Sequence, residues 1–281
     1  RFDKWFKNNI SHIPQSLIEK YLRIGKIKIN KKKIKSSYKL KTNDQVTCFN
    51  IREFKKSVIK FKPTNKLLRN TEKDIIYNDD NLIVINKKAG IPVQGGTKSF
   101  KNLIDIYSNS EFFKNDKPYS VHRLDKDTSG VLIIAKNRNY AQLLTTLFRI
   151  RKIQKKYLAV CEGYYENSLN EWKHKIKRFE KNKIIFEEAI TKVKVIDKNL
   201  NTTFIELKPI TGRKHQLRKQ SSIIGCPIVG DKKYSNKKYK NINLMLHAYE
   251  IKFKINNKKF KFVAPLPDYF QNFLKIKKLN F

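Results

Sequence analysis

SVHRLDKDTSGVLIIAKN, residues 120–137, decides how the rest of the chain is read. It passes from a polar stretch through the turn DTSG into VLIIA, an apolar run of strand length. Asp125 stands just ahead of the turn, with Arg123 two residues before it. The surrounding chain is strongly positive, with 63 Lys and Arg against 24 Asp and Glu and a formal net charge of +39. An acid among so many bases is either a structural ion pair or a reactive group. A turn aspartate ordinarily just hydrogen-bonds nearby backbone amides. Three features favour the reactive reading here. Arg123 puts a cation in reach, and polar clusters rich in Gly, Arg and His recur at strand ends, where sites tend to form. TGRKHQLR, residues 211–218, also reads as a turn and helix start carrying Arg213, Lys214 and Arg218.

Composition narrows the partner. A chain of 281 residues can bury one good core and carry a small appended module. Its 40% apolar and 12% aromatic content argue against wholesale disorder. The cationic excess and a pI near 10.1 imply a large polyanion, although heavy use of Lys, Asn and Ile inflates the count. Nucleic acid is favoured over an anionic membrane, because no segment reads as a basic amphipathic anchor. No apolar run approaches the roughly 20 residues of a membrane span. The chain opens on Arg1 rather than Met, so a preceding segment is expected. Cys48, Cys161 and Cys226 are too few and scattered for a disulfide framework or a zinc site, and read as small buried hydrophobes. The five histidines show no ligand spacing, and no metal is expected.

The chain falls into two blocks. Between Arg1 and Lys62 there are 18 Lys or Arg against four acids. Gln15 to about Arg23 reads as an amphipathic helix with Leu17, Ile18, Tyr21 and Leu22 on its apolar side, stopped at Gly25. Short strands follow in KIKIN and QVTCF. Residues 1–51 are taken as one domain, and 52–70, charged and broken by Pro63, as a linker. From 71 to 281 the reading is of strands at Leu82–Ile85, VLIIAK, KKYLAV (155–160) and TFIEL (203–207). A helix through AQLLTTLFRI is capped by Asn139, and another runs from TGRKHQLR to Gly225. Many strands with few intervening helices predict an α+β fold on a mainly antiparallel sheet. Gly90, Gly95 and Gly96 make a glycine-rich loop without the spacing of a phosphate-binding motif. Gly130 and Gly212 are read as turn positions needing positive φ.

HRLDKDTSGVLIIAKN, KKYLAV and TGRKHQLR, in that order, resemble the RluA-type family of pseudouridine synthases. NDDNLIVINKKAGIPVQGG, CPIVGDKKYS and MLHAYEIKF match further motifs of that family, and RFDKWF with QSLIEKYLRIGKIKIN resembles an S4 RNA-binding domain. The wording is similar to the branch that acts on several uridines of large-subunit (23S-type) ribosomal RNA. The resemblance implies a catalytic domain of mixed, mainly antiparallel sheet behind a small α/β S4 domain. It makes Asp125 the catalytic aspartate, Tyr157 the active-site tyrosine and Arg218 the basic partner of Asp125 through a bidentate pair. Arg123 is implied to fill the gap left by an extruded nucleotide, and Leu124 to pack beneath the site. Arg213, Lys214 and Gln216 are expected on the substrate. Breaking the C1'–N1 bond and rejoining the base through C5 involves no redox change and no group donor, so no cofactor is implied. The carboxylate can attack the sugar or remove its C2' proton. This chain departs from the common family wording at Lys88, Gln94, Lys214 and Gln220, changes that touch substrate contacts before catalysis.

Two other functions compete with this one. A non-catalytic RNA-binding or ribosome-assembly protein would use the same basic surface and be indifferent to Asp125. An Asp-dependent nucleosidase would release free uracil. Ribosomal RNA is the expected partner, with no protein partner, no membrane, a monomeric state and a bacterial cytoplasmic or organellar location.

Overall fold

The computed structural model describes every residue except 11–12, 52–60, 62, 96–100, 114–116, 167–169, 181–182, 236–238 and 240. It divides into two compact units, Arg1–Ile59 and Lys60–Phe281.

The first unit contains helices α1 (Phe2–Asn9) and α2 (Gln15–Arg23) and strands β1 (Ile27–Ile29) and β2 (Val46–Cys48). The two strands pair antiparallel, with Ile27 opposite Cys48. Phe2 and Phe6, one helical turn apart, meet Ile18, Tyr21 and Leu22 of α2 and Ile27 and Ile29 of β1 in a core of their own. Helix α2 keeps its predicted bounds, and Gly25 takes φ +77° directly after it. Cys48 is exposed rather than buried, because its strand lies at the rim of a two-stranded sheet.

The second unit begins with α3 (Asn65–Glu72), which starts within the stretch 52–70 expected to be a linker and runs past its end. Thr64 caps it by accepting from the Leu67 amide, and Leu67 and Leu68 pack onto the core. The tyrosine hydroxyl of buried Tyr107 donates to the Thr71 carbonyl. The charged residues of α3 face outward and hide its short apolar side from a composition reading. The elements that follow are β3 (Ile75–Asn78), β4 (Leu82–Lys87), α4 (Leu103–Tyr107), β5 (Tyr119–Ser120), β6 (Ser129–Ala135), α5 (Arg138–Arg149), β7 (Gln154–Glu162), β8 (Glu171–Glu180), β9 (Lys183–Lys198), β10 (Thr202–Pro209), α6 (Gln216–Ile223), β11 (Leu246–Ile255), β12 (Lys258–Val263) and α7 (Asp268–Ile276).

Among the described residues the strands of this unit form one 10-stranded sheet in the order β3-β4-β6-β11-β7-β10-β9-β8, with β12 on β11 and β5 on β6. The pairing of β11 with β6 is parallel and the others are antiparallel. This is the expected α+β sheet. Strands β4 and β6 are buried on both faces. Leu82, Val84, Val131 and Ile133 point into one apolar cluster, and Ile83, Ile85, Leu132 and Ile134 into another. That explains why VLIIA is a continuous apolar run rather than an alternating one. A third cluster joins β7 and β10 to α6 and α7.

Two local expectations change. Asn137, not Asn139, caps α5, its side chain accepting from the Tyr140 amide. Gly130 lies within β6 rather than in a turn. It has φ +112°, and a Cβ there would run into the Ala248 backbone of β11. Gly212 lies in open space and does not adopt positive φ. Gly96 falls outside the described residues.

Candidate active site

Asp125 lies in the loop between β5 and β6, and its position follows from what grips that loop. Leu124, just before it, is buried in the cluster beneath. Beyond it, buried Lys87 at the end of β4 donates to three carbonyls, those of Lys88, Lys126 and Thr128, at 2.8–2.9 Å. All three ammonium protons are thereby used on backbone. Burial lowers the Lys87 pKa to about 8, against the pull of Asp127 and Asp125. The Gly90 amide donates to the Lys126 carbonyl as well. Upstream, His122 stacks on Phe148 at 4.5 Å and accepts from the Ile133 amide at 2.9 Å. Burial drives its pKa down to about 3, so it stays neutral.

The opposite wall is the turn 211–216 and α6. Gln216 fixes this turn. Its oxygen accepts from the Thr211 hydroxyl and the Arg213 amide, and its amide donates to the Ile190 carbonyl and the Thr191 hydroxyl. Its hydrogen-bonding capacity is thus taken up by the protein, although substrate contact was expected of it. Arg213 is likewise engaged, with Glu187 at 3.0 Å and the Glu188 carbonyl at 3.1 Å. Lys214 is exposed.

Arg218, buried on α6, reaches two carboxylates. Its bidentate fork goes to Asp231, at 2.7 and 2.8 Å, and a single Nη1 contact of 3.4 Å goes to Asp125 Oδ2. The sequence reading assigned the fork to Asp125. Asp231 takes it because its side chain is fully buried and must be neutralised, whereas Asp125 keeps an open side toward the cavity. Burial works to raise the Asp231 pKa, but the bonds from Arg218 and the Lys233 and Tyr234 amides hold it below the usual range. Burial likewise opposes the Arg218 charge, and Asp231 and Asp125 together raise its pKa.

The other oxygen of Asp125 faces His215, with Nε2 at 3.6 Å from Oδ1. His215 sits at the start of α6 with φ +54°, and its Nδ1 is 2.9 Å from the Tyr234 hydroxyl. The arrangement that turns no lone pair toward the carboxylate has Tyr234 donating to Nδ1 and the proton on Nε2. Burial lowers the His215 pKa, with Asp125 pulling the other way. The Tyr234 ring also faces the Arg218 guanidinium at 5.3 Å. Asp231, Tyr234 and His215 were not assigned roles from sequence, although all three fall in quoted motifs, CPIVGDKKYS and TGRKHQLR.

Between these walls lies a cavity of about 610 Å³, enough for a nucleotide. It is lined by Asp125, Tyr157, Arg218, Arg123, Leu124, Arg213, Lys214 and Gln216, so the structure brings every predicted site residue to one place. Tyr157 enters from β7. Burial, and then the Asp125 charge, push its phenol pKa well above the usual range, so it is a neutral phenol at rest. Arg123 is exposed at the mouth.

The sequence model of the family described as RNA pseudouridylate synthase matches residues 81–222, which contain Asp125, Tyr157 and Arg218. The chain belongs to that family. As a pseudouridine synthase it is an RNA-modifying isomerase, and its relatives match it nearly end to end. The ribosomal large subunit pseudouridine synthase C of Buchnera aphidicola (Schizaphis graminum) is 36% identical, covering 98% of this chain and 92% of its own. The enzyme of the same name from Rickettsia conorii is 38% identical over 96% of this chain and 95% of its own. Among solved structures, human RNA pseudouridylate synthase domain containing 4 superposes with a TM-score of 0.67 and 29% identity, covering 77% of this chain and 97% of that one.

Proposed function

We propose that this synthase converts uridines of large-subunit (23S) ribosomal RNA to pseudouridine, with Asp125 as the catalytic group. The observation that carries the reading is a carboxylate contacted on one oxygen by Arg218 and faced on the other by His215, opening onto a nucleotide-sized cavity shared with Tyr157. The names of the relatives support the RNA class.

A stacked uridine offers neither C1' nor C5 to a carboxylate, so it must leave the stack at a cost of about a few kcal/mol. Arg123, exposed at the mouth, offsets that cost by filling the gap. Asp125 then acts at the sugar, by attack on C1' or removal of the C2' proton. The C1'–N1 bond breaks, the base turns over against the Tyr157 ring, and C5 bonds to C1'. The C5 proton must leave while N1 gains one. A neutral phenol accepts the C5 proton only as its own proton moves on to the nearby Asp125 carboxylate. N1, left basic by the C1'–N1 cleavage, takes up one proton from solvent and Asp125 returns one to solvent, so the turnover is proton-neutral. Arg218, fixed by Asp231, keeps Asp125 aimed throughout.

The basic N-terminal unit acts in this reading as an S4-type RNA-binding domain that supplies salt-sensitive affinity through phosphates. Its exposed lysines around residues 31–41 support that role. The protein works as a cytoplasmic monomer on ribosomal RNA. Incubating it with a large-subunit rRNA transcript tests the proposal. Pseudouridine should form with no change in RNA mass and no free uracil, and Asp125→Asn should form none while still binding. Released uracil would identify a nucleosidase, and unmodified RNA a binding protein only.

A further inference from the structure

The wall of the cavity opposite α6 is built from the end of α5 and the start of β7, and it holds a cation that the mechanism above leaves unused. Lys155 precedes Tyr157 by two residues on β7, so both side chains leave the same face of the strand, and both line the cavity. Lys155 is half-buried. Among the described residues, no carboxylate and no hydrogen-bond acceptor reaches its ammonium group. Its electrostatic neighbours are Arg151, which repels it, and His122, which its own charge helps to keep neutral.

Two other lysines show what this protein does with comparable groups. Lys156, next in sequence and on the other face of the strand, pairs with Glu206 at 3.0 Å. Lys87 is satisfied by three carbonyls. Lys155 alone of these is half-buried in the cavity wall with no protein partner for its charge among the described residues, and partly burying an unpaired charge costs stability. Such a cost persists where an incoming ligand supplies the missing charge. Arg149 and Arg151 stand beside it, exposed at the cavity edge. A uridine in the cavity has a neutral base and a neutral sugar, and its only anionic part is the phosphodiester.

We propose that Lys155 binds a backbone phosphate flanking the target uridine and so fixes the depth to which that nucleotide enters the cavity, with Arg149 and Arg151 on the adjacent phosphates. The proposal rests on the RNA-modifying reading of the site. It makes Lys155 a substrate-binding residue whose loss weakens RNA binding and strengthens the fold. Burial together with Arg151 holds its pKa below the usual lysine range in the free protein, in keeping with a charge awaiting its partner.

The test uses the full chain and a large-subunit rRNA fragment containing one candidate target uridine. Lys155→Met should raise the melting temperature, weaken RNA binding by roughly 10- to 100-fold and reduce the salt dependence of binding by about one phosphate contact. Lys155→Arg should retain most of the affinity. A methylphosphonate placed in turn on each side of the target should weaken wild-type binding at one position and leave Lys155→Met unaffected at that same position. Unchanged affinity and salt slope in Lys155→Met, a lower melting temperature, or an equal methylphosphonate penalty in both proteins would overturn the assignment. Absence of pseudouridine with wild-type protein on the unmodified fragment would instead count against the isomerase reading, so the two failures are distinguishable.

Discussion

Arg218 carries two duties, and a substitution there separates them poorly. Arg218→Ala should lower stability by about 3–5 kcal/mol, because fully buried Asp231 loses its counter-ion. Activity should fall with it, and the loss is measurable by denaturant unfolding beside a turnover assay. Lys87→Met leaves three loop carbonyls without their donor, and roughly 3 kcal/mol of destabilisation is expected. Two histidines that burial holds neutral, His122 and His247, set the acid-side pH dependence with the same sign, as His247 illustrates. It is fully buried, with Nδ1 against the Ser129 hydroxyl and Nε2 donating to the Ala264 carbonyl, and burial lowers its pKa to about 4. The unfolded chain takes up this proton near pH 6.5, before the folded protein does. Stability should therefore fall as pH drops below 6.5, by about 1.4 kcal/mol per pH unit from this residue until pH approaches 4. Thermal melts between pH 7 and 5 check this, and a flat profile would contradict it. At this scale motif wording brought forward Asp125 and Tyr157, and both line the same cavity. It could not say that Gln216 spends all its hydrogen bonds on a turn, because its partners Ile190 and Thr191 are some 25 positions away in the chain.

Elements were readable where pattern and breaker agreed. Helix α2 combines an apolar side with a terminal glycine, and β6 is a strand-length run behind a turn. Strand β8 went unread, because the abundance of lysine masks the alternation of Trp172, His174 and Ile176 with Lys173, Lys175 and Lys177. Helix α3 shows the opposite limit, because two leucines in a charged octet reveal an apolar side only once a core is there to meet it. Removing residues 1–59 should leave the second unit folded with weakened RNA affinity. Removing residues 1–73 strips Leu67 and Leu68 from the core and the Thr71 carbonyl from Tyr107, which should cost a further 2–4 kcal/mol or about that. Equal melting temperatures for the two truncations would refute this role for α3. Gly130→Ala should fail to fold, since β6 and β11 approach too closely there to admit a Cβ.

For the molecule as a whole, charge and chemistry are separately arranged. The net charge of +39 draws in a polyanion from any direction, but attraction of that kind selects nothing. In the proposed reading selection falls to the cavity, where a carboxylate, a phenol and a buried guanidinium converge from a loop, a strand and a helix far apart in sequence. Composition alone could distinguish neither the enzyme from a passive RNA binder nor the two carboxylates that share Arg218. The most direct measurement is a map of pseudouridines in large-subunit ribosomal RNA from cells lacking this gene, restored with either the wild-type protein or Asp125→Asn. Specific pseudouridines should disappear on deletion, return with the wild-type protein and stay absent with Asp125→Asn. Their return with the Asn variant would contradict the central role given to this carboxylate.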